Sequence, residues 1–215
     1  MAKIWHLNMT LSRLLKKIHK FNGLASFAKK DLNFEEIILE ISKEKSLNKK
    51  IKIAKENFQE LGEGSARFVF KIDDKFIIKL AKDEKGIAQN KFESSIKSPI
   101  TAKIFYKDPE DSWIICQFAE KLSEKEFKEF TKFSLKDFYS ALSYKMNMDS
   151  YSVEKPENYD ILNENEFFNE VLALVLNNDL QIGDLQYIDS WGKIDNKPKL
   201  IDFGLSRDIF EEYYE

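Results

Sequence analysis

Two glycines, Gly62 and Gly64, interrupt the apolar stretch of residues 61–70, which reads LGEGSARFVF. A second apolar stretch, residues 76–81 (FIIKLA), follows after two aspartates at residues 73–74. An acidic pair between two apolar runs favours a turn, so the stretches predict an antiparallel strand pair. Glycines two apart let the backbone bend tightly and bring its amides close to phosphate oxygens, where a Cβ would obstruct them. The sequence therefore predicts a β-sheet that carries an anion-binding loop.

The second stretch carries a single cation, Lys79. Because side chains alternate along a strand, Lys79 shares a face with Ile77, and the opposite face takes Phe76, Ile78 and Leu80. A lysine fixed on a strand beside the glycine loop is suited to binding phosphate as a point charge.

Two acidic segments lie near the carboxyl end of the sequence. Residues 199–206 (KLIDFGLS) form an apolar run that ends at Asp202 and a glycine, and residues 183–189 (GDLQYID) carry Asp184 and Asp189 five positions apart. Carboxylates are ligands that Mg²⁺ prefers, together with phosphate oxygens of a bound nucleotide. These segments predict a site for a phosphate-bound magnesium ion.

In this order the motifs resemble those of the protein kinase superfamily, which are G-x-G-x-x-G-x-V, a strand lysine, a helix glutamate, H-R-D-L-x-x-x-N and D-F-G. The resemblance runs from about residue 61 to residue 206. It implies an α+β, two-lobed, protein-kinase-like fold that binds ATP and Mg²⁺. Since the sequence has 11 residues after Gly204 (215 minus 204), it also implies a minimal C-terminal lobe, as in small kinase-like proteins of phages and mobile elements.

The resemblance implies a role for each residue that matches a motif. The residues expected to contact the nucleotide are Gly62, Gly64, Ser65, Val69, Lys79, Gln117 and Phe118. Of these, Gln117 and Phe118 follow the apolar run 114–116 and correspond to the segment that joins the lobes and reads adenine. Asp184 is expected to be the catalytic base, and Asp189 and Asp202 to bind Mg²⁺.

A helix over residues 85–93 is expected to carry the glutamate partner of Lys79. Ile87, Ala88 and Phe92 are spaced as one helical face, and Glu93 follows directly. Glu93 is therefore the first candidate for orienting Lys79, and Glu84 is the second.

The sequence departs from the family pattern at several positions. Arg67 replaces the third glycine, while Ile182 and Gly183 replace the histidine and arginine. Asp189 stands where the family has asparagine, and Gln186 stands where protein serine/threonine kinases carry lysine. The missing arginine argues against control by a phosphorylated activation loop, and Gln186 argues against simple protein-serine chemistry.

A second assignment of the acidic residues is open. Asp179 and Asp184 are also five positions apart, so Asp179 would be the base and Asp184 the metal ligand. The assignment to Asp184 and Asp189 is preferred, because it gives the usual separation from Asp202 in the family.

Composition narrows the functional class. The 215 residues include 34 basic and 37 acidic side chains, a net charge of −3, which argues against a dedicated nucleic-acid binder. A single cysteine, Cys116, excludes an intrachain disulfide framework and favours a reducing, cytoplasmic environment. No apolar run approaches the length of a membrane span, and the sequence does not specify an oligomeric state.

Three segments are expected. Residues 1–57 form a helical N-terminal extension, residues 58–118 a kinase-like small lobe of strands with one helix, and residues 119–215 a truncated large lobe. Within the last segment, residues 124–146 and 165–178 are predicted helical and residues 150–164 a loop. The extension has two apolar helical stripes, which are Leu11, Leu14, Leu15 and Ile18, and Phe34, Ile37, Ile38 and Ile41.

The resemblance implies phosphoryl transfer from ATP to a hydroxyl group. Protein serine/threonine kinase activity, including autophosphorylation, is the leading hypothesis. The alternatives are a small-molecule phosphotransferase, because residues 183–185 (GDL) also resemble the loop of aminoglycoside and choline kinases, and a pseudokinase that acts as a binding module. Transfer of AMP to a hydroxyl is a minor fourth option.

Overall fold

The computed structural model describes residues 34–147 and 154–215, which form an α+β fold. The chain divides into two compact units. Of the described residues, the first unit takes those up to Asn90 together with Ile104–Gln117, and the second takes Lys91–Lys103 together with those from Phe118 onward. The first apolar stripe of the N-terminal extension lies outside the described residues.

The first unit is a helix-covered antiparallel sheet. Its elements are α1 (Phe34–Lys43), α2 (Leu47–Asn57), β1 (Gln59–Glu63), β2 (Arg67–Lys71), β3 (Phe76–Ala81), the start of α3 (Glu84–Ser95), β4 (Ile104–Lys107) and β5 (Trp113–Gln117). The five strands lie in the order β1-β2-β3-β5-β4, and every neighbouring pair is antiparallel. The turn predicted at residues 73–74 joins β2 to β3, which confirms the predicted strand pair.

The hydrophobic core of this unit lies between the two leading helices and one face of the sheet. The predicted stripe on α1 is confirmed, since Ile37, Ile38 and Ile41 are all buried. They share a core with Phe70 and Ile78 of the sheet, among other apolar side chains. Burial of this many apolar groups removes a large area from water and makes α1 and α2 part of the folded unit.

The second unit combines helices with a small sheet. Its elements after α3 are β6 (Glu120–Lys121), α4 (Glu124–Thr131), α5 (Leu135–Met146), α6 (Tyr159–Asn163), α7 (Glu166–Asn178), β7 (Trp191–Ile194), β8 (Lys197–Leu200) and α8 (Arg207–Tyr213). Two short 3₁₀ turns, Gly183–Gln186 and Ile188–Ser190, precede β7. The three strands lie in the order β6-β7-β8.

The predicted helices of this unit are confirmed with two differences. The region 124–146 is two helices, because Lys132 adopts a left-handed conformation that ends α4. The region 150–164 is not loop throughout, since its later part forms α6. Asn165 caps α7 by accepting a hydrogen bond from the Phe168 amide at 2.9 Å, which fixes the start of the predicted helix.

A tight β-hairpin leads into the Asp-Phe-Gly segment. Strands β7 and β8 pair antiparallel, with Trp191 opposite Leu200. Asp195 and Asn196 between them both have positive φ angles, 51° and 59°, as a two-residue type I′ turn requires. The sequence predicted only an apolar run that ends at Asp202 and did not predict β7. Its missed signal is the Asp-Asn pair between two short apolar-alternating runs.

Candidate active site

The predicted glycine loop joins β1 to β2. The amide of Gly64 donates to the Arg67 carbonyl at 2.9 Å, which closes the loop. A Cβ built on Gly62 would meet no atom within 4 Å, and one on Gly64 would meet only the Arg67 carbonyl oxygen at 3.8 Å. Neither glycine has a positive φ angle. Packing and backbone conformation thus do not require glycine here, and the space beside the backbone fits the close approach of a ligand.

Lys82, which directly follows β3, stabilises this loop. Its ammonium group donates to the Gly64 carbonyl at 2.7 Å and forms an ion pair with Glu63, and its own amide donates to the Ala66 carbonyl at 2.9 Å. The side-chain hydrogen bond from Lys82 lowers the pKa of the Glu63 carboxyl group. The role of Lys82 was not predictable, because no pattern in the sequence links it to the loop.

The sheet register aligns the predicted nucleotide contacts of the first unit. Gly62 pairs with Val69, Val69 with Lys79, and Lys79 with Ile114, on four neighbouring strands. Directly paired residues point to the same face of a sheet, so Val69 and Lys79 share the face opposite the α1–α2 core. Lys79 is buried, with 4% of its surface exposed. This register matches the alternation predicted for β3.

Helix α3 packs through a polar face. The predicted helix is present, but the predicted apolar face is wrong: Ile87, Ala88 and Phe92 are only half-buried. The buried positions are Gly86, Gln89, Asn90 and Glu93, at helical spacing.

Two positions of this face, Gly86 and Asn90, lie against main-chain carbonyl oxygens. A Cβ on Gly86 would lie 2.3 Å from the Ala66 carbonyl oxygen, so only glycine fits there. The Asn90 side chain donates to the Asp111 carbonyl at 3.0 Å and accepts from Arg67 at 3.4 Å. Arg67, at the position of the third glycine, therefore contacts α3.

The two candidates for the glutamate partner of Lys79 differ in burial. Glu93 is buried with 1% of its surface exposed, whereas Glu84 at the start of α3 is exposed. Charged side chains are rarely this buried unless they are paired. The role of Glu93 stays a prediction. The predicted adenine contacts, Gln117 and Phe118, are half-buried at the end of β5 and just after it.

In the second unit, two antiparallel main-chain contacts bring the acidic segments together. At one end Leu180 bridges Ser206, and the Gln181 amide donates to the Leu205 carbonyl at 2.9 Å. At the other end the Ser190 carbonyl accepts from the amides of Ile201 at 2.9 Å and Asp202 at 3.4 Å. The turn at residues 182–190, which holds Asp184 and Asp189, is thus fixed beside residues 202–204.

Asp184 and Asp202 influence each other electrostatically. Partial burial raises the pKa of the Asp184 carboxyl group, and the negative charge of Asp202 raises it further. A nearby negative charge disfavours ionisation of a carboxyl group, because like charges repel. All three aspartates of this region, Asp184, Asp189 and Asp202, are solvent-exposed as residues. The site therefore presents an accessible acidic surface.

Asp179 occupies a different setting. It ends α7 in a left-handed conformation with φ 49°, and its carbonyl accepts from the Arg207 amide at 3.0 Å. Its carboxylate lies 3.6 Å from the Arg207 guanidinium, in an ion pair whose partners are both more than half exposed. Asp179 is therefore the C-terminal cap of α7.

Asp189 and Asp202, the predicted Mg²⁺ ligands, are exposed carboxylates, the type of oxygen donor that Mg²⁺ binds. Among residues 34–147 and 154–215, no three side chains of His, Cys, Asp or Glu group together as a metal site. Mg²⁺ is commonly bound by one or two carboxylates together with water and substrate phosphates, which Asp189 and Asp202 would match.

Within the same described ranges, no helix has the length and hydrophobicity needed to cross a bilayer.

No protein-family model and no curated protein matches the sequence. Among solved structures, it is similar to the streptomycin–ATP complex of APH(2")-IIa, with 13% identity over 75% of this chain and 72% of that one, and a TM-score of 0.36. It is similar to the GDP complex of aminoglycoside 2'-phosphotransferase-IIIa, with 16% identity, 75% and 73% coverage, and a TM-score of 0.37. It is also similar to ADP-bound aminoglycoside phosphotransferase APH(2'')-Ib, with 17% identity over 79% of this chain and 70% of that one, and a TM-score of 0.35.

These similarities are distant. The glycine loop on a five-stranded antiparallel sheet, the strand lysine, and the two acidic segments follow one another in the expected order. The structure itself shows an α+β fold.

Proposed function

We propose that this protein transfers the γ-phosphoryl group of ATP to a hydroxyl group. The observation that carries the proposal is the pair of main-chain contacts that fixes the 182–190 turn beside Asp202. A catalytic base and metal-binding carboxylates must be held in one place, because positioning supplies most of the rate enhancement in such reactions. Two contacts, one at each end of the turn, meet this requirement.

In the proposed reaction, the acceptor oxygen forms a bond to the γ-phosphorus while the bond from that phosphorus to the β–γ bridging oxygen breaks. The hydroxyl proton passes to the Asp184 carboxylate, and ADP leaves. The raised pKa of Asp184 supports its assignment as the base, since a base works best when its pKa approaches the working pH. Asp179 is a weaker candidate, because its carboxylate pairs with Arg207.

Mg²⁺ held by Asp189 and Asp202 would neutralise charge on the phosphates. The nucleotide contacts proposed in the first unit are Gly62, Gly64, Ser65, Val69 and Lys79, with Gln117 and Phe118 for adenine. Glu93 would orient Lys79, which its deep burial supports.

A small-molecule acceptor is favoured over a protein serine or threonine, which reverses the order expected from sequence alone. Gln186 donates from its side chain to the Gly183 carbonyl at 2.7 Å, so it stabilises its own turn. It does not supply the cation that protein serine/threonine kinases carry at this position. Gly183 precedes Asp184 with no atom within 4 Å of a Cβ built on it, which leaves room beside the base.

Labelled ATP tests the proposal and separates the acceptor classes. Purified full chain would be incubated with Mg²⁺ and γ-labelled ATP, with kanamycin, streptomycin or choline, and with small-molecule and protein fractions of a cell extract. Label in a small molecule is expected. Label on protein would instead support the protein-kinase alternative.

Parallel incubation with α-labelled ATP would detect AMP transfer. The Asp202→Ala variant serves as the control for contaminating kinases. If the wild-type protein transfers no label under any condition, and consumes no ATP, the proposed function is wrong and a nucleotide-binding module remains.

A further inference from the structure

Ser190 stands at the centre of the acidic site, although no motif includes it. It follows Asp189 and immediately precedes β7, and it is buried, with 6% of its surface exposed. Its hydroxyl group donates to the Asp184 carbonyl at 2.8 Å, an ordinary length for a hydrogen bond between oxygens. Its carbonyl accepts from the amides of both Ile201 and Asp202. One residue thus contacts the backbone of Asp184 and the backbone of Asp202.

The neighbouring side chain cannot perform this task. An ionised Asp189 carboxylate accepts hydrogen bonds but donates none, so it cannot satisfy a carbonyl oxygen of the turn. The hydroxyl of Ser190 supplies a donor to the Asp184 carbonyl in its place. Asp189 itself is exposed.

The surrounding contacts fix Ser190 itself. The Ser190 amide donates to the Tyr187 carbonyl at 3.1 Å, and the Trp191 indole donates to the Leu185 carbonyl at 3.1 Å. Trp191 is buried among aromatic rings, including Phe127 at 5.3 Å between centroids. The strand pairing of Trp191 with Leu200 then sets Ser190 opposite Ile201. The hydroxyl is therefore held in place by the hydrophobic core on one side and by the hairpin on the other.

We propose that Ser190 is a positioning residue that couples the proposed base, Asp184, to the proposed metal-binding carboxylates, Asp189 and Asp202. This inference rests on the proposed function. Ser190 touches no reacting atom; it acts by fixing the backbone on which the three carboxylates stand. Loss of its hydroxyl group leaves the main-chain contacts with Ile201 and Asp202 intact, and frees the Asp184 end of the turn.

The test compares Ser190→Ala, Ser190→Thr and Thr131→Val with the wild-type full chain. Threonine keeps the hydroxyl group. Thr131 is a matched control for general destabilisation, because its buried hydroxyl also lies within hydrogen-bond distance of main-chain carbonyls in the same unit, those of Phe127 and Phe133, each at 2.9 Å. Deuterium uptake of peptides covering residues 182–190 is measured without nucleotide or metal. ATP turnover is measured as a function of ATP and of Mg²⁺.

We expect Ser190→Ala to increase deuterium uptake across residues 182–190. It should also raise the Mg²⁺ concentration for half-maximal turnover and lower kcat by about 10- to 100-fold, the range seen for outer residues of metal sites. The KM for ATP should change little, because the glycine loop and Lys79 are untouched. Ser190→Thr should keep most of the wild-type kcat and Mg²⁺ dependence, because it keeps the hydroxyl group. Thr131→Val should lower Tm without changing the Mg²⁺ dependence.

Unchanged uptake and Mg²⁺ dependence in Ser190→Ala would overturn the inference, as would the same pattern in Thr131→Val. If the wild-type protein shows no ATP turnover, the proposed function fails separately. The exchange measurement then decides the role of Ser190 alone: a loosened 182–190 turn supports it, and an unchanged turn refutes it.

Discussion

The two units hold their candidate functional residues in different ways. In the first unit, Val69 and Lys79 lie on adjacent strands of a regular sheet, and ladder hydrogen bonds fix their common face. In the second unit, Asp184, Asp189 and Asp202 all lie outside strands and α-helices, in short turns or just after a strand. The sheet positions residues through a repeating pattern, whereas the acidic turn depends on a few individual hydrogen bonds.

This difference predicts that substitutions in the two units affect stability to different extents. Lys79 is buried in a strand whose six residues are all buried, so changes there disturb packing as well as charge. The three aspartates are exposed, so their side chains are removable with little effect on the core. Substitutions of candidate residues in the two units should therefore differ in their effects on Tm and on turnover.

The largest effect is expected from Asp202→Ala. Loss of a carboxylate from the proposed magnesium site should lower ATP turnover by about 10³-fold, the upper range for removing one preorganised charged group. The Tm should stay near that of the wild-type protein, because the side chain is exposed. Glu211→Ala, an exposed acidic residue on α8, is the control and should retain full turnover. Normal turnover in folded Asp202→Ala would remove Asp202 from the site.

Substitutions of Lys79 test the sheet of the first unit. Lys79→Met keeps the unbranched stem and removes the charge, so turnover should fall by about 10²- to 10³-fold with a small change in Tm. Lys79→Ala should lose as much turnover and also lower Tm, since it leaves a void in a buried strand. Lys75→Met, in the exposed β2–β3 turn, should behave as wild type. Wild-type turnover in both Lys79 variants would exclude this strand from the reaction.

Asp184→Asn is expected to lower activity and raise stability together. Turnover should fall by about 10²-fold, the lower end for a positioned acid–base group. The folded protein holds the Asp184 proton more tightly than the unfolded chain does, because burial and then Asp202 raise its pKa. The ionised carboxylate therefore costs stability at neutral pH, and this cost disappears as pH falls through the raised pKa towards the unfolded value.

Thermal unfolding from neutral pH downward checks this sign. The Asn variant should have the higher Tm at neutral pH, and the two curves should converge in acid. Asp179→Asn is the matched comparison, and it should keep most of the turnover. If Asp179→Asn is the inactive variant and Asp184→Asn is active, the alternative assignment of base and metal ligand is correct.

Two glycines of the first unit should give the smallest and most contrasting effects. Gly86→Ala should lower the free energy of unfolding by about 1–3 kcal/mol, the usual cost of overpacking, because its Cβ would meet the Ala66 carbonyl. Gly62→Ala should leave that free energy unchanged within about 0.5 kcal/mol, since its Cβ enters open space, and should raise the KM for ATP. Urea unfolding and ATP titration measure the two quantities. An unchanged KM in Gly62→Ala would mean that the loop does not approach the nucleotide.

Several parts of the molecule were predictable because they follow local rules. The alternation in β3, the buried stripe of α1 and the extent of α7 all arise from apolar periodicity over one element. The Asp195–Asn196 hairpin also follows a local rule, since a polar pair that tolerates positive φ angles lies between its two strands.

Other parts were not predictable from local rules. The buried face of α3 is polar because Gly86 and Asn90 meet carbonyl oxygens of residues distant in sequence. Lys82 contacts the glycine loop 18 positions away, and periodicity carries no information on such a pair.

The sequence by itself determined the order of the motifs, the chemical identity of the candidate residues, and which side of the β3 strand carries Lys79, because composition and two-residue periodicity are local properties. Only the tertiary structure decided that Ser190 links Asp184 to Asp202 and that α3 packs through polar groups. The physical reason is that every residue carries a main-chain carbonyl that can accept a hydrogen bond. The sequence shows the donor side chain, but only the folded structure shows which carbonyl lies beside it.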